Sequence, residues 1–174
     1  MTILGLSVPA FTLLHVIISL IGIGSGIAVL LGMAGNNRLE GWTALFLLTT
    51  ALTSITGFFF HSKAFGPPHV FGVVTLLVMV PVLLGRYAFG LRGSWRVIYI
   101  VGAVLVLWLN CVVAVIQFFQ KVEFLNVLAP TQSEPPFVFT QIIVLALLSV
   151  LTVVAALRFQ RNPRLTRVPA GAAA

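Results

Sequence analysis

Residues 95–119 read WRVIYIVGAVLVLWLNCVVAVIQFF, twenty-five positions whose single charge, Arg96, stands near the start. About 20 apolar residues in a helix suffice to cross a hydrocarbon core of roughly 30 Å, and backbone groups in lipid must find their hydrogen bonds within their own segment. The stretch therefore reads as a membrane-spanning helix. Outward from it lie four more runs of the same kind, at 8–33, 42–60, 69–89 and 137–159. The ten-residue alternation of a transmembrane barrel is absent. The expected fold is all-α and integral to the membrane: a bundle of five transmembrane helices over residues 1–159, followed by a basic tail at 160–174.

Composition leads to the same class. Hydrophobic residues make up 60% of the chain and charged ones 7%, where soluble domains carry about a quarter charged; mean hydropathy is +1.15. The gaps between runs hold turn residues, among them Gly35-Asn36-Asn37, Gly66-Pro67-Pro68 and Gly90-Leu91-Arg92-Gly93, and Trp42 and Trp95 stand where interface anchors belong. Pro81 inside the third run predicts a kink, and Arg86 near its end predicts a snorkelling side chain. A cleaved signal peptide fits the first run poorly, because it lacks a basic leader and is too long for one.

Basic residues set the expected orientation, since cytoplasmic loops are enriched in them. Taking alternate sides of the five runs, one face collects Arg38, Arg86, Arg92, Arg96, Arg158, Arg161, Arg164 and Arg167, and the other only Lys63 and Lys121. The amino terminus is then outside and the carboxyl tail cytoplasmic. The net charge of +7 belongs to the inner face, with anionic headgroups as its natural companion. These arginines lack the aromatic interleaving of a nucleic-acid interface, so the partner expected is the lipid bilayer, with no nucleic acid.

That topology gathers His15, His61 and His69 at the outer side. On the first run Thr12, His15, Ser19, Gly22 and Gly26 share one helical stripe, and on the second Thr50, Ser54, Gly57 and His61 share another. Small and hydroxylated stripes face other helices. Three imidazoles near the outer face, with Glu134 as a fourth donor in the loop above them, suit a transition metal; two suit haem b. Proton handling and simple interfacial hydrogen bonding are the competing readings. A polar path through Asn110, Gln117, Thr50 and Ser54 is the mark of a different role, transport or channel activity, or a helical scaffold subunit in a homo-oligomer or membrane complex. The lone Cys111 excludes intramolecular disulfides, and no nucleophile triad, intramembrane carboxylate pair or phosphate loop is present, so hydrolytic chemistry has no residues to carry it.

The loop at 120–136 is rigidified by Pro130, Pro135 and Pro136, and Phe124, Leu125, Val127 and Leu128 suit a short turn on the membrane surface. Here the chain resembles a family of small uncharacterised bacterial inner-membrane proteins. The likeness runs from Trp108-Leu-Asn110 through Gln117 and Lys121 to Ala129-Pro-Thr-Gln-Ser-Glu-Pro-Pro136. It extends to Leu14-His15, Gly41-Trp42-Thr43, Thr56-Gly57-Phe58 and Leu91-Arg92-Gly93-Ser94-Trp95-Arg96. The resemblance implies a bacterial inner membrane and brings no reaction or cofactor with it.

Overall fold

The computed structural model describes residues 2–60 and 66–159. His61, Lys63 and the tail at 160–174 lie outside the described residues. A two-residue hairpin opens the chain, β1 (Thr2–Ile3) pairing antiparallel with β2 (Leu6–Ser7). Its turn places Leu4 and Gly5 at φ 51° and 82°, the double left-handed geometry of the tightest hairpins. Ser7 then accepts the Ala10 N–H at 3.4 Å and caps α1 (Val8–Ala34), with Pro9 in the first turn.

Among the described residues six α-helices follow: α1, α2 (Glu40–Gly57), α3 (Pro67–Leu83), α4 (Trp95–Lys121), α5 (Glu123–Leu128) and α6 (Pro135–Arg158). Four of them, rather than the five expected, are long and apolar enough among the described residues to cross a membrane: α1, α3 with the turn that extends it to Ala88, α4 and α6. The chain is thus a multi-pass membrane protein. The run expected at 42–60 is the exception. It folds as α2, but Glu40 and the hydroxyls of Thr43, Thr49, Thr50, Thr53, Ser54 and Thr56 dilute its hydropathy. Several of those hydroxyls bond within the helix: Thr43 Oγ1 donates to the Leu39 carbonyl at 2.8 Å, Thr49 to Leu45 at 2.7 Å and Thr56 to Leu52 at 2.6 Å. Thr43, Thr49, Thr50 and Ser54 are buried, so the polar face of α2 points into the bundle.

Packing follows from small residues. α2 runs antiparallel to α1 along its length: a Cβ at Gly22 would stand 3.2 Å from Thr49 Oγ1, and one at Gly26 only 2.8 Å from both Phe46 and Leu107. Between lipid-immersed helices there is little hydrophobic driving force, so such close approach supplies the dispersion contact that holds them. α4 lies at the centre, touching α1, α3 and α6; 56% of its most apolar window is buried, against 6% for α6. Tyr99, Ile100, Ala103, Val106 and Leu107 of α4 join Val29, Leu30 and Phe46 in the core, whereas α6 is the most exposed of the four spans.

The end of α3 departs from regular geometry. Three residues beyond Pro81 the helix widens into a π turn, Leu84–Ala88, closed by the Phe89 N–H on the Leu84 carbonyl at 2.9 Å. Gly85 lets this turn approach α4, where a Cβ would lie 3.1 Å from the Trp95 carbonyl oxygen. Phe89 stacks on Trp95 with centroids 4.2 Å apart.

Candidate functional site

Polar groups concentrate at three levels: the end of the bundle that holds His15, the middle, and the arginine end.

At the first level, His15 of α1 is half-buried against the end of α2. Its Nδ1 lies 2.8 Å from Thr56 Oγ1, and its ring meets Phe60 edge-on at 5.1 Å. The Thr56 hydroxyl has one proton, and its 2.6 Å bond to the Leu52 carbonyl uses it. His15 Nδ1–H therefore donates to Thr56, which leaves Nε2 as the ring nitrogen not used in this bond. His69 sits in the first turn of α3, where its Nδ1 accepts the Gly66 N–H at 3.3 Å, and Phe58 lies 5.7 Å from its ring. His15 and His69 thus each have a local partner of their own. Among the described residues no group of three or more His, Cys, Asp or Glu side chains is arranged to hold a metal.

Glu134, expected as a further ligand, closes its own loop. Its Oε1 accepts the Thr131 hydroxyl at 2.8 Å and the Thr131 N–H at 3.1 Å, and its Oε2 accepts the Ser133 N–H at 3.0 Å. Partial desolvation pushes this carboxyl up, but the bonds from Thr131 and Ser133 outweigh it and hold the group below its ordinary range. The loop is anchored to α4 through Gln132 Nε2, which donates to the Ile116 carbonyl at 3.4 Å, and Ala129 is fully buried. α5 lies ahead of the loop, with Phe124 and Val127 exposed.

At mid-bundle, Asn110 Nδ2 donates to Thr50 Oγ1 at 2.9 Å, both residues buried. Because Thr50 also faces Gly22, this bond joins α1, α2 and α4 at one point. The remaining members of the expected polar path lie elsewhere. Ser54 is buried, with its carbonyl facing Gly72 of α3, and Gln117 is exposed. One turn of α1 beyond Gly22, the gap between helices is lined by Gly26, Leu30, Phe46, Ala103 and Leu107, all apolar.

Two partnerships escaped the sequence reading. Thr56 lies off the hydroxyl stripe of α2, so nothing in the spacing pairs it with His15. The arginines read as topology signals, yet the structure draws Arg38 and Arg86 against aromatic rings and ties Arg96 to the Phe159 carbonyl, and the tyrosines at 87 and 99 were the available signal. Comparison with protein-family models, with curated proteins and with solved structures finds no match.

Proposed function

We propose that this chain is a helical scaffold subunit of the bacterial inner membrane, acting through its surfaces as part of a homo-oligomer or larger membrane complex. The observation that carries the reading is the Asn110–Thr50 bond: it satisfies the central polar pair inside a close-packed junction of three helices. Buried polar pairs of this kind hold membrane helices together. α6 leaves Ile143, Leu147 and Val150 exposed on the outside of the bundle, a face available to lipid or to a neighbour. The resemblance to small inner-membrane proteins supports the compartment. The charge sorting supports an orientation with the arginine end cytoplasmic and the start of α1 outside.

The test is crosslinking in native membranes from cysteines placed at Ile143 and Leu147 in a Cys111→Ser background. A discrete crosslinked species of fixed stoichiometry is expected. Monomer alone at every position would sink the scaffold reading.

A second reading rests on one specific observation. His15 has its Nδ1 tied to Thr56, the arrangement that orients metal- and haem-ligating histidines through the other ring nitrogen. Under this reading His15, with His61 and His69, holds haem b or a transition metal near the outer face. Purified protein would then show a Soret band or stoichiometric metal that His15→Ala abolishes; neither signal in the unsubstituted protein rules it out.

A further inference from the structure

We infer that the arginine end carries a specific phosphate-binding site, formed by Arg38, Arg86 and Arg96 around the Tyr99–Phe159 ring pair, whose ligand is an anionic lipid headgroup or a free phosphate. The three arginines come from separate segments: the α1–α2 connection, the π turn and the start of α4. The Arg38 guanidinium lies 6.0 Å from the Phe159 ring centroid, and that of Arg86 lies 5.5 Å from Tyr99 and 5.9 Å from Tyr87. Arg96 Nη1 donates to the Phe159 carbonyl at 2.8 Å, while Arg86 Nη1 only reaches Tyr99 Oη at 3.5 Å. Tyr99 and Phe159, themselves 6.4 Å apart, are almost wholly buried. Two half-buried cations thus lie against this ring pair, and a third is bonded to the Phe159 backbone beside it.

Their hydrogen-bonding capacity is largely unspent. A guanidinium carries five N–H donors, and among the described residues the bonds above use one from Arg86 and one from Arg96, with none to a carboxylate. Gathering three like charges at a partly desolvated site is unfavourable unless an anion neutralises them. Phosphate oxygens match the planar forks of arginine.

Topology alone does not account for the arrangement. Arg92 and Arg158 stand at the same end and are exposed, as a positive-inside signal requires no more than position. Drawing Arg38 and Arg86 against rings and Arg96 onto the Phe159 carbonyl adds nothing to orientation. The level in the membrane also suits a headgroup, since exposed Tyr87 and the Phe89–Trp95 stack lie beside Arg86, in the manner of interfacial aromatics.

The test uses the full chain in phosphatidylcholine nanodiscs, titrated with phosphatidylglycerol and followed by native mass spectrometry, with inorganic phosphate as the second probe. Phosphatidylglycerol is expected to be retained over phosphatidylcholine. Arg38→Gln, Arg86→Gln and Arg96→Gln should each weaken its binding roughly tenfold. Arg92→Gln and Arg158→Gln, which remove the same charge, should change it no more than about twofold. Competition by inorganic phosphate would identify the phosphate group itself as the ligand; retention of the lipid without competition would identify the whole headgroup. If a Gln variant loses its cooperative melting transition, Arg86→Lys against Arg92→Lys carries the comparison, with several-fold loss expected only for the first. Equal weakening by all five Gln variants, equal effects of the two Lys variants, or equal retention of the two lipids without phosphate binding would overturn the site.

Discussion

Asn110 and Gln141 both place an amide among membrane helices, and their surroundings predict opposite outcomes. Asn110 is paired with Thr50, so Asn110→Ala strands a buried hydroxyl and should cost about 1–2 kcal/mol in reversible unfolding from mixed micelles. Gln141 donates to the Val112 carbonyl at 3.3 Å, but its Oε1 is buried with no partner. Gln141→Leu should therefore be neutral or stabilising by up to about 1 kcal/mol in the same assay. Glu134 supplies a pH dependence. Its carboxyl is held below the ordinary range in the folded loop, so its contribution is present above the unfolded value and is lost as pH falls through the folded one. An NMR titration should place its midpoint below the peptide value of about 4.3; a midpoint at or above that would contradict the hydrogen-bonded loop. Asn110 was legible in the sequence because an amide near the middle of an apolar run is costly in lipid and is drawn toward other helices, whereas Gln117, near the end of the same run, is exposed. Glu134 was not, because its partners Thr131 and Ser133 precede it and only the folded loop turns them back on its carboxylate.

Among the elements, α2 carries the sharpest lesson in packing. Its hydroxyls bond its own carbonyls and its threonine face meets the glycines of α1, so close approach rather than apolarity secures it. Gly26→Val should push α1 from Phe46 and Leu107 and cost about 1–3 kcal/mol; wild-type stability would mean that the contact is looser than its geometry. Residue-by-residue apolarity suggested five equivalent crossings, because Leu45 to Leu48 and Leu52 give 42–60 the look of the other runs. Counting Glu40 and the hydroxyls over the helix actually formed, Glu40–Gly57, separates α2 from the other four. The hairpin at Thr2–Ser7 was equally hidden: Leu4 is a poor residue for a left-handed turn, and only Gly5 hints at one.

For the molecule as a whole, charge is the coordinate that orders everything else. Arg38, Arg86 and Arg96 lie at one end, while Lys121, Glu123 and Glu134 lie at the other, between the last residue of α4 and the start of α6. A membrane-impermeant maleimide should label Ser133→Cys on intact cells and Ser94→Cys only after permeabilisation, in a Cys111→Ser background. The reverse pattern would invert the orientation. The sorting of charge between the ends was legible from the sequence alone. The gathering of three arginines on Tyr99 and Phe159 was not, because it depends on where the π turn aims Arg86.

That turn sets a limit on how the chain can change in length. An ordinary helix advances about 100° per residue, and the wider turn absorbs one extra position, so deleting a residue between Leu84 and Ala88 would restore a regular spiral with the flanking segments nearly in phase but would re-aim the side chains within the turn. Arg86 would leave Tyr99. Surface loops elsewhere can gain or lose a residue at little cost; here a shorter, tidier helix would be a differently aimed one.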